Sequence, residues 1–254
     1  MIKNEQFKYF ILLLILHLAF QFKNSAQPFI NIESGIASPL YNDTRIPGNS
    51  GTFFSLKDDL KTSPVFFYRL RCGYLFNKHH ISILYAPIAF TSEGKFRDDV
   101  LFMNENFIAN NLTTGYYKFN SYRLTYWYKI VETERINIGL GLTGKIRDAE
   151  IKLNSNSVEA SKTDLGFVPL IHFFFSYSIQ NKILFKLEGD ALGAKQGRAE
   201  DFLLSFNYQL THAVQLFSGY RILEGGSNGS SVYTFAWINY FSFGTNIILK
   251  KKVQ

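Results

Sequence analysis

The chain has 254 residues, with 46% hydrophobic and 19% charged, and 27 Lys and Arg against 20 Asp and Glu. That balance excludes disorder, which needs low hydrophobicity with high charge, and a bundle of membrane helices, because past the N-terminus no run of about 18 apolar residues occurs. A single cysteine, Cys72, excludes a disulfide framework or a multi-cysteine zinc site, while 26 Phe, 15 Tyr, 2 Trp and 18 Gly point towards β-structure rich in aromatic surface.

Residues 1–26 have the three parts of a secretory signal. Lys3 and Lys8 give a basic start diluted by Glu5, Phe10 to Phe20 is apolar except for His17, and Asn24-Ser25-Ala26 offers a cleavage site before Gln27. Removing this segment takes two net positives from the formal +7, leaving +5, and three of those sit in the tail Lys250-Lys251-Lys252. The body is nearly balanced, so no basic stripe is available for nucleic acid.

From Phe29 onward the hydrophobic pattern has period two, the signature of strands with one apolar face. Segment 66–76 sets Phe66, Tyr68, Leu70, Cys72, Tyr74 and Phe76 against Arg69, Arg71 and Gly73. Segment 121–130 sets Tyr122, Leu124, Tyr126, Tyr128 and Ile130 against Arg123, Thr125 and Lys129. In 136–147, Ile138, Leu140, Leu142 and Ile146 oppose glycines, Lys145 and Arg147. Segments 183–191 and 202–210 repeat the pattern, and weaker alternation covers 29–37, 80–90, 165–179, 213–223 and 232–249. Ten strands are expected, with eight and twelve open.

The connections alternate in length. Short ones at 77–79, 131–135, 180–182 and 211–212 are interleaved with long polar ones at 38–62, 91–118, 148–164, 192–201 and 224–231. In an up-and-down meander this puts tight turns at one end and long loops at the other. A soluble barrel alternates too, but three features favour apolar-out. The strands are long enough for a tilted membrane crossing, aromatic residues gather near strand ends as in interfacial girdles, and the opposite face carries charges of both signs beside Gly.

With these features the mature chain, 27–254, resembles bacterial outer-membrane β-barrel proteins, in particular the small barrels of the Bacteroidota type. Its final residues, Leu249 to Gln254, depart from the aromatic ending such proteins commonly have. The resemblance implies an all-β fold, a closed antiparallel up-and-down transmembrane barrel. It also implies export to the outer membrane of a Gram-negative cell. The partners implied are outer-membrane lipid and lipopolysaccharide, together with envelope proteins reached through the loops.

With the first strand running outward, Glu33, Arg69, Arg71, Arg123, Lys145, Arg147, Glu188, Asp190 and Arg221 face the lumen. In a narrow low-dielectric tube these are expected to pair into a plug. Asp148, Arg198, Glu200, Asp201 and Glu224 are expected to form ion pairs at the loop bases, where Arg lies beside carboxylates. The leading expectation is a filled barrel with a structural or accessory role. The alternative is a narrow channel for small polar or anionic solutes. An enzyme is less favoured: only His172 sits mid-strand on the lumen face, and Ser176, four residues on, is about 13 Å away. Asp43, Asp58 and Asp59 offer oxygen ligands, but such acidic groups are usually solvated, so no metal and no cofactor is expected.

Overall fold

The computed structural model describes residues 26–156 and 158–249; the proposed signal segment lies outside the described residues apart from Ala26. In chain order the strands are β1 (Gln27–Arg45), β2 (Phe54–Ser55), β3 (Leu60–Thr62), β4 (Val65–Phe76), β5 (His79–Ala86), β6 (Ala89–Lys95), β7 (Val100–Phe102), β8 (Glu105–Phe107), β9 (Leu112–Glu132), β10 (Ile136–Ser155), β11 (Val158–Gln180), β12 (Ile183–Ala194), β13 (Gly197–Gln209), β14 (Val214–Asn228) and β15 (Tyr233–Ile248). The wall runs β1, β4, β5, β9, β10, β11, β12, β13, β14, β15, with neighbours antiparallel throughout. Pairing of β15 with β1 closes it into a ten-strand barrel.

β5 and β6 form one interrupted wall strand. Both pair with β9, the first over 121–128 and the second over 112–118. The break falls at Pro87-Ile88, where proline cannot donate to the ladder. Ile88 still accepts a bond from Phe119 N at 2.8 Å, which keeps the two halves in line.

Period-two alternation sets the orientation of the wall. Leu142, Phe167, Phe66 and Phe206 project outward and are more than half exposed, whereas Arg69, Arg123, Lys145 and Arg221 turn inward and are buried. On β10 the outward apolar run spans Ile138 to Ile146, about the nine residues that a tilted strand needs to cross hydrocarbon. Tyr126, Tyr128, Tyr177 and Tyr208 border the band on the side of the tight turns. Tyr41, Trp237 and Tyr220 border it on the other side, where Asn239 Oδ1 accepts from Tyr220 Oη and Trp237 Nε1, both at 2.7 Å. Such amphipathic rings suit the interface between lipid and water.

Two expectations about the far end need correction. The segments 148–164, 192–201 and 224–231 are not long loops. β10 continues to Ser155 and β11 begins at Val158, β12 and β13 run to Lys195-Gln196, and β14 and β15 to residues 229–232. Above the apolar band the outward positions meet water, so the hydropathy alternation fades while backbone pairing continues. The extra length is held by cross-strand pairs such as Lys152–Glu159 at 2.7 Å and Lys118–Asp148 at 3.1 Å.

The lumen is also not charged along its whole length. The two connections that are long, after β1 and after β6, fold inward and bring Ile46, Phe54, Leu56, Leu60, Phe96, Val100, Phe102 and Phe107 against inward wall residues including Phe67, Leu153, Ile238 and Tyr240. Phe54 packs edge-on to Phe96 and Phe102, at centroid distances of 5.5 and 5.7 Å. Backbone bonds join the two connections: Thr52 N to Leu101 O at 2.9 Å and Met103 N to Ile46 O at 3.0 Å. A Cβ at Gly115 would stand 2.5 Å from Leu56 Cδ2, so glycine there lets the cap pack close to the wall.

Candidate functional site

Beneath the apolar cap the inward side chains form one hydrogen-bonded layer across the barrel. Asp201 on β13 is its hub. Its carboxylate accepts from Arg69 Nη2 at 2.9 Å, from Arg123 Nη2 at 2.6 Å and from Arg221 Nη1. Arg221 also presents a fork to Glu33, Nε to Oε1 and Nη2 to Oε2, each at 2.7 Å, and Ser242 Oγ donates to Glu33 Oε1 at 2.9 Å. Arg123 Nη1 donates to Asp190 Oδ2 at 2.7 Å, while Asp190 Oδ1 accepts from Thr143 Oγ1 at 2.7 Å and from His172 Nδ1 at 2.8 Å.

These groups come from β1, β4, β9, β10, β11, β12, β13, β14 and β15, nine of the ten wall strands. The remaining strand, β5, contributes buried Leu84 at the same level, in register with Arg71 and Arg123. Glu33, Asp190 and Asp201 balance Arg69, Arg123 and Arg221, so the layer is neutral when His172 is neutral. Charges this deep persist only when paired and hydrogen-bonded on several sides.

His172 has no reactive partner. With Nδ1 donating to Asp190, its Nε2 is buried and makes no hydrogen bond among the described residues. Ser176 instead accepts from Asn137 Nδ2 at 3.3 Å. Among the described residues no hydroxyl lies within hydrogen-bond reach of His172 Nε2. On the other side of Trp127, the ring of His80 stacks at 3.5 Å.

Towards the tight turns, Arg71 pairs with Glu188 at 2.8 Å and Lys186 Nζ donates to Gln215 Oε1. On the other side of the layer a cavity of about 380 Å³ opens between β9, β10 and β11 on one flank and β13, β14 and β15 on the other. Lys145, 2% exposed, stands in its lining with its ammonium 4.6 Å from the Phe119 ring centroid. Arg147, two residues further along β10, pairs with Asp164.

No family model and no curated protein matches the chain. Solved structures do match. The outer membrane protease OmpT of Escherichia coli aligns with a TM-score of 0.50 at 10% identity, covering 88% of this chain and 97% of that one. Ail, the attachment invasion locus protein of Yersinia pestis, in complex with the heparin analogue sucrose octasulfate, aligns at 0.39 and 12% identity, over 87% and 99%. Neisserial surface protein A aligns at 0.37 and 14%, over 89% and 100%. At such identities the likeness concerns the fold alone. The fold is a closed antiparallel β-barrel like those of outer-membrane proteins.

Within this barrel the residues expected in the lumen all project inward, but they separate into levels. Glu33, Arg69, Arg123, Asp190 and Arg221 share the sealing layer. Arg71 and Glu188 pair towards the tight turns, and Lys145 and Arg147 line the cavity on the far side. The residues expected at loop bases separate further. Arg198 and Glu224 form a fork, at 2.7 and 2.8 Å, on the outer face of the wall, where Tyr41 Oη also donates to Glu224 at 2.5 Å. Asp148 points outward rather than towards an arginine, accepting from Lys118 at 3.1 Å and Asn120 at 3.0 Å; the Lys118 ammonium holds its carboxyl below the usual range. Glu200 makes no side-chain bond among the described residues. Asp201 is the largest correction: its side chain faces the lumen and organises the layer.

Sequence reasoning passed over Thr143 and Ser242, because a hydroxyl on a polar face carries no signal of its own. It had placed Asp201 beside Gly197 and Arg198 as a loop-base group, although the same parity that turns Ser205 and Asn207 inward also turns Asp201 inward. Near the outer end of β1, Asp43 is pushed up from the usual carboxyl range by burial and by the nearby Asp58 and Asp59. Asp59 Oδ2 accepts from Ser55 N at 2.7 Å. Among the described residues no three His, Cys, Asp or Glu side chains gather as metal ligands would.

Proposed function

We propose that the protein is an outer-membrane barrel of a Gram-negative cell that keeps its lumen closed and acts through its outer mouth and wall, in a structural or accessory role. Residues 1–26 direct its export and are removed before Gln27. The observation that carries this reading is the hydrogen-bonded layer fed by nine of the ten wall strands. Ten strands enclose a lumen only slightly wider than the eight-strand size that side chains fill, and here three guanidinium groups and three carboxylates fill it. The apolar cap fills part of the lumen on the outer side, beside the cavity.

A closed lumen leaves two surfaces for interaction. The outward band and its rings contact lipid, and the extended hairpins with the two inward-folded connections face the medium, where envelope partners would dock. An open channel for anionic solutes fits less well, because each arginine of the central layer is already paired with a carboxylate. A hydrolase fits less well again, since no hydroxyl adjoins His172 Nε2.

Recording from the purified protein in planar bilayers tests the closed state. The expected trace is silent, without stable unit conductance at moderate voltage. A large, steady conductance that disappears on heat-unfolding the protein would overturn the proposal. Heat-modifiable gel mobility in detergent checks that the recorded material is a folded barrel.

A further inference from the structure

The cavity above the sealing layer combines three properties that together specify a ligand. Its volume of about 380 Å³ lies within the range of small-molecule sites. Its walls are mostly apolar, with Phe119, Val168, Leu223, Ala236 and Ile238 facing inward around it. On its floor is a buried cation without a counter-ion. Lys145 makes no ion pair and donates no hydrogen bond to a described side chain; its contact is with the face of Phe119. Its register partner across the sheet is Arg123, a like charge.

The carboxylates nearest below, Asp190 and Asp201, are taken up by guanidinium groups. The neutral layer therefore leaves Lys145 as a surplus charge. Burial of an ammonium is costly without a partner, and a ring face offsets only part of that cost. Arg147 brings a second donor to the same flank: its Nη2 binds Asp164, but its Nε is buried and has no hydrogen-bond partner among the described residues.

We propose that the cavity binds a small amphipathic monoanion, a carboxylate on an aliphatic or aryl body, with the carboxylate on Lys145 and the body against Phe119, Leu223 and Ile238. One uncompensated charge calls for one negative charge. A compact dianion such as sulfate would bring excess charge into apolar walls, and a neutral body would leave Lys145 unpaired. The lining extends to the small residues Gly229, Ser230 and Ser231 at the outer turn, where Asn49 N donates to Ser230 O at 3.0 Å, and it includes Lys162, whose charge favours an anion. The closed-lumen reading supplies the floor of this site but is tested separately: a conducting protein that still bound the ligand would end that reading and leave this one standing.

The test is equilibrium binding to the full-length protein in lipid nanodiscs, with empty nanodiscs as the blank. The probes are 2-naphthoate, its neutral counterpart 2-naphthol, octanoate as competitor, and sulfate. Saturable 2-naphthoate binding displaced by octanoate is expected, with 2-naphthol at least about tenfold weaker and sulfate without effect, as loss of a charge-assisted bond implies. Lys145→Met, which removes a buried charge while keeping length, should weaken 2-naphthoate by about tenfold or more and leave 2-naphthol unchanged. Leu223→Trp, on the opposite wall, should abolish both and gives a second route if the first variant does not fold. Equal binding of the acid and the alcohol, equal affinity in Lys145→Met, or no saturable binding would overturn the proposal.

Discussion

Asp201 accepts from three guanidinium groups, and this makes it the residue on which the central layer depends most. Asp201→Ala takes an acceptor from three buried cations and leaves Arg69 with only Glu33, 3.6 Å away. Removal of one partner from a buried ionic cluster costs about 3–5 kcal/mol, and the loss should appear in urea unfolding from lipid vesicles. Glu188→Gln should cost clearly less, because Arg71 and Glu188 keep 20% and 18% of their side-chain surface and water can compensate. Asp43 gives a test of opposite sign at the rim. Its carboxyl is raised above its unfolded value, first by burial and then by Asp58 and Asp59. The folded protein therefore holds that proton more tightly than the unfolded chain, and ionisation at neutral pH works against folding. Asp43→Asn should raise the melting temperature at pH 7, and the gain should shrink as pH falls through the raised pKa, where wild-type Asp43 becomes neutral in the fold. A gain that grew on acidification would contradict this account.

Among the elements, the inward-folded connection 46–62 is held by apolar contacts rather than by a long ladder, since β2 and β3 contain only two and three residues. Phe54 is its main anchor, 1% exposed and edge-on to two rings. Phe54→Ala leaves a cavity and costs about 3–5 kcal/mol. That cost falls on the cap, so protease should cut within 46–62 in vesicle-embedded protein while the wall fragments stay heat-modifiable. Unfolding of the whole barrel instead would show the cap to be integral to the wall. The same contrast explains what the sequence revealed. Strands 121–130 and 136–147 were legible because, inside the hydrocarbon band, lipid demands apolar residues at every outward position and the lumen demands polar ones. Beyond the band the demand lapses on one face, so 148–164 read as a polar loop although Ile151, Leu153 and Ala160 point into the cap. Next to the cap the opposite failure occurs. Ala37, Ala236, Ile238 and Tyr240 face an apolar interior, both faces of their strands are hydrophobic, and the period-two signal disappears. Arg69, Arg123 and Arg221 could be placed by parity alone; their shared acceptor on β13 depended on strand order and stagger, which one sequence does not state.

At the scale of the molecule, the apolar cap and the ionic layer lie one above the other along the barrel axis, and they exclude ions by different physics. The cap opposes ions by the apolar packing of Phe54, Phe96, Phe102 and Phe107, which offers them no polar partners. The layer binds its own charges so completely that a passing ion would have to break several charge-assisted bonds at once. The cavity beside the cap runs from the outer β14–β15 turn down to Lys145, so the layer alone completes the seal. Replacing residues 49–61 by a short Gly-Ser linker should leave bilayer recordings silent, with the layer intact. Arg123→Ala combined with Asp201→Ala removes one charge of each sign from the layer and should give steady conductance through the cavity. Its selectivity should lean towards anions because Lys145, Lys186 and Arg147 would line the path, and adding the cap replacement should raise the conductance further. Conductance from the cap replacement alone would show that the ionic layer leaks and would leave the cap as the sole seal.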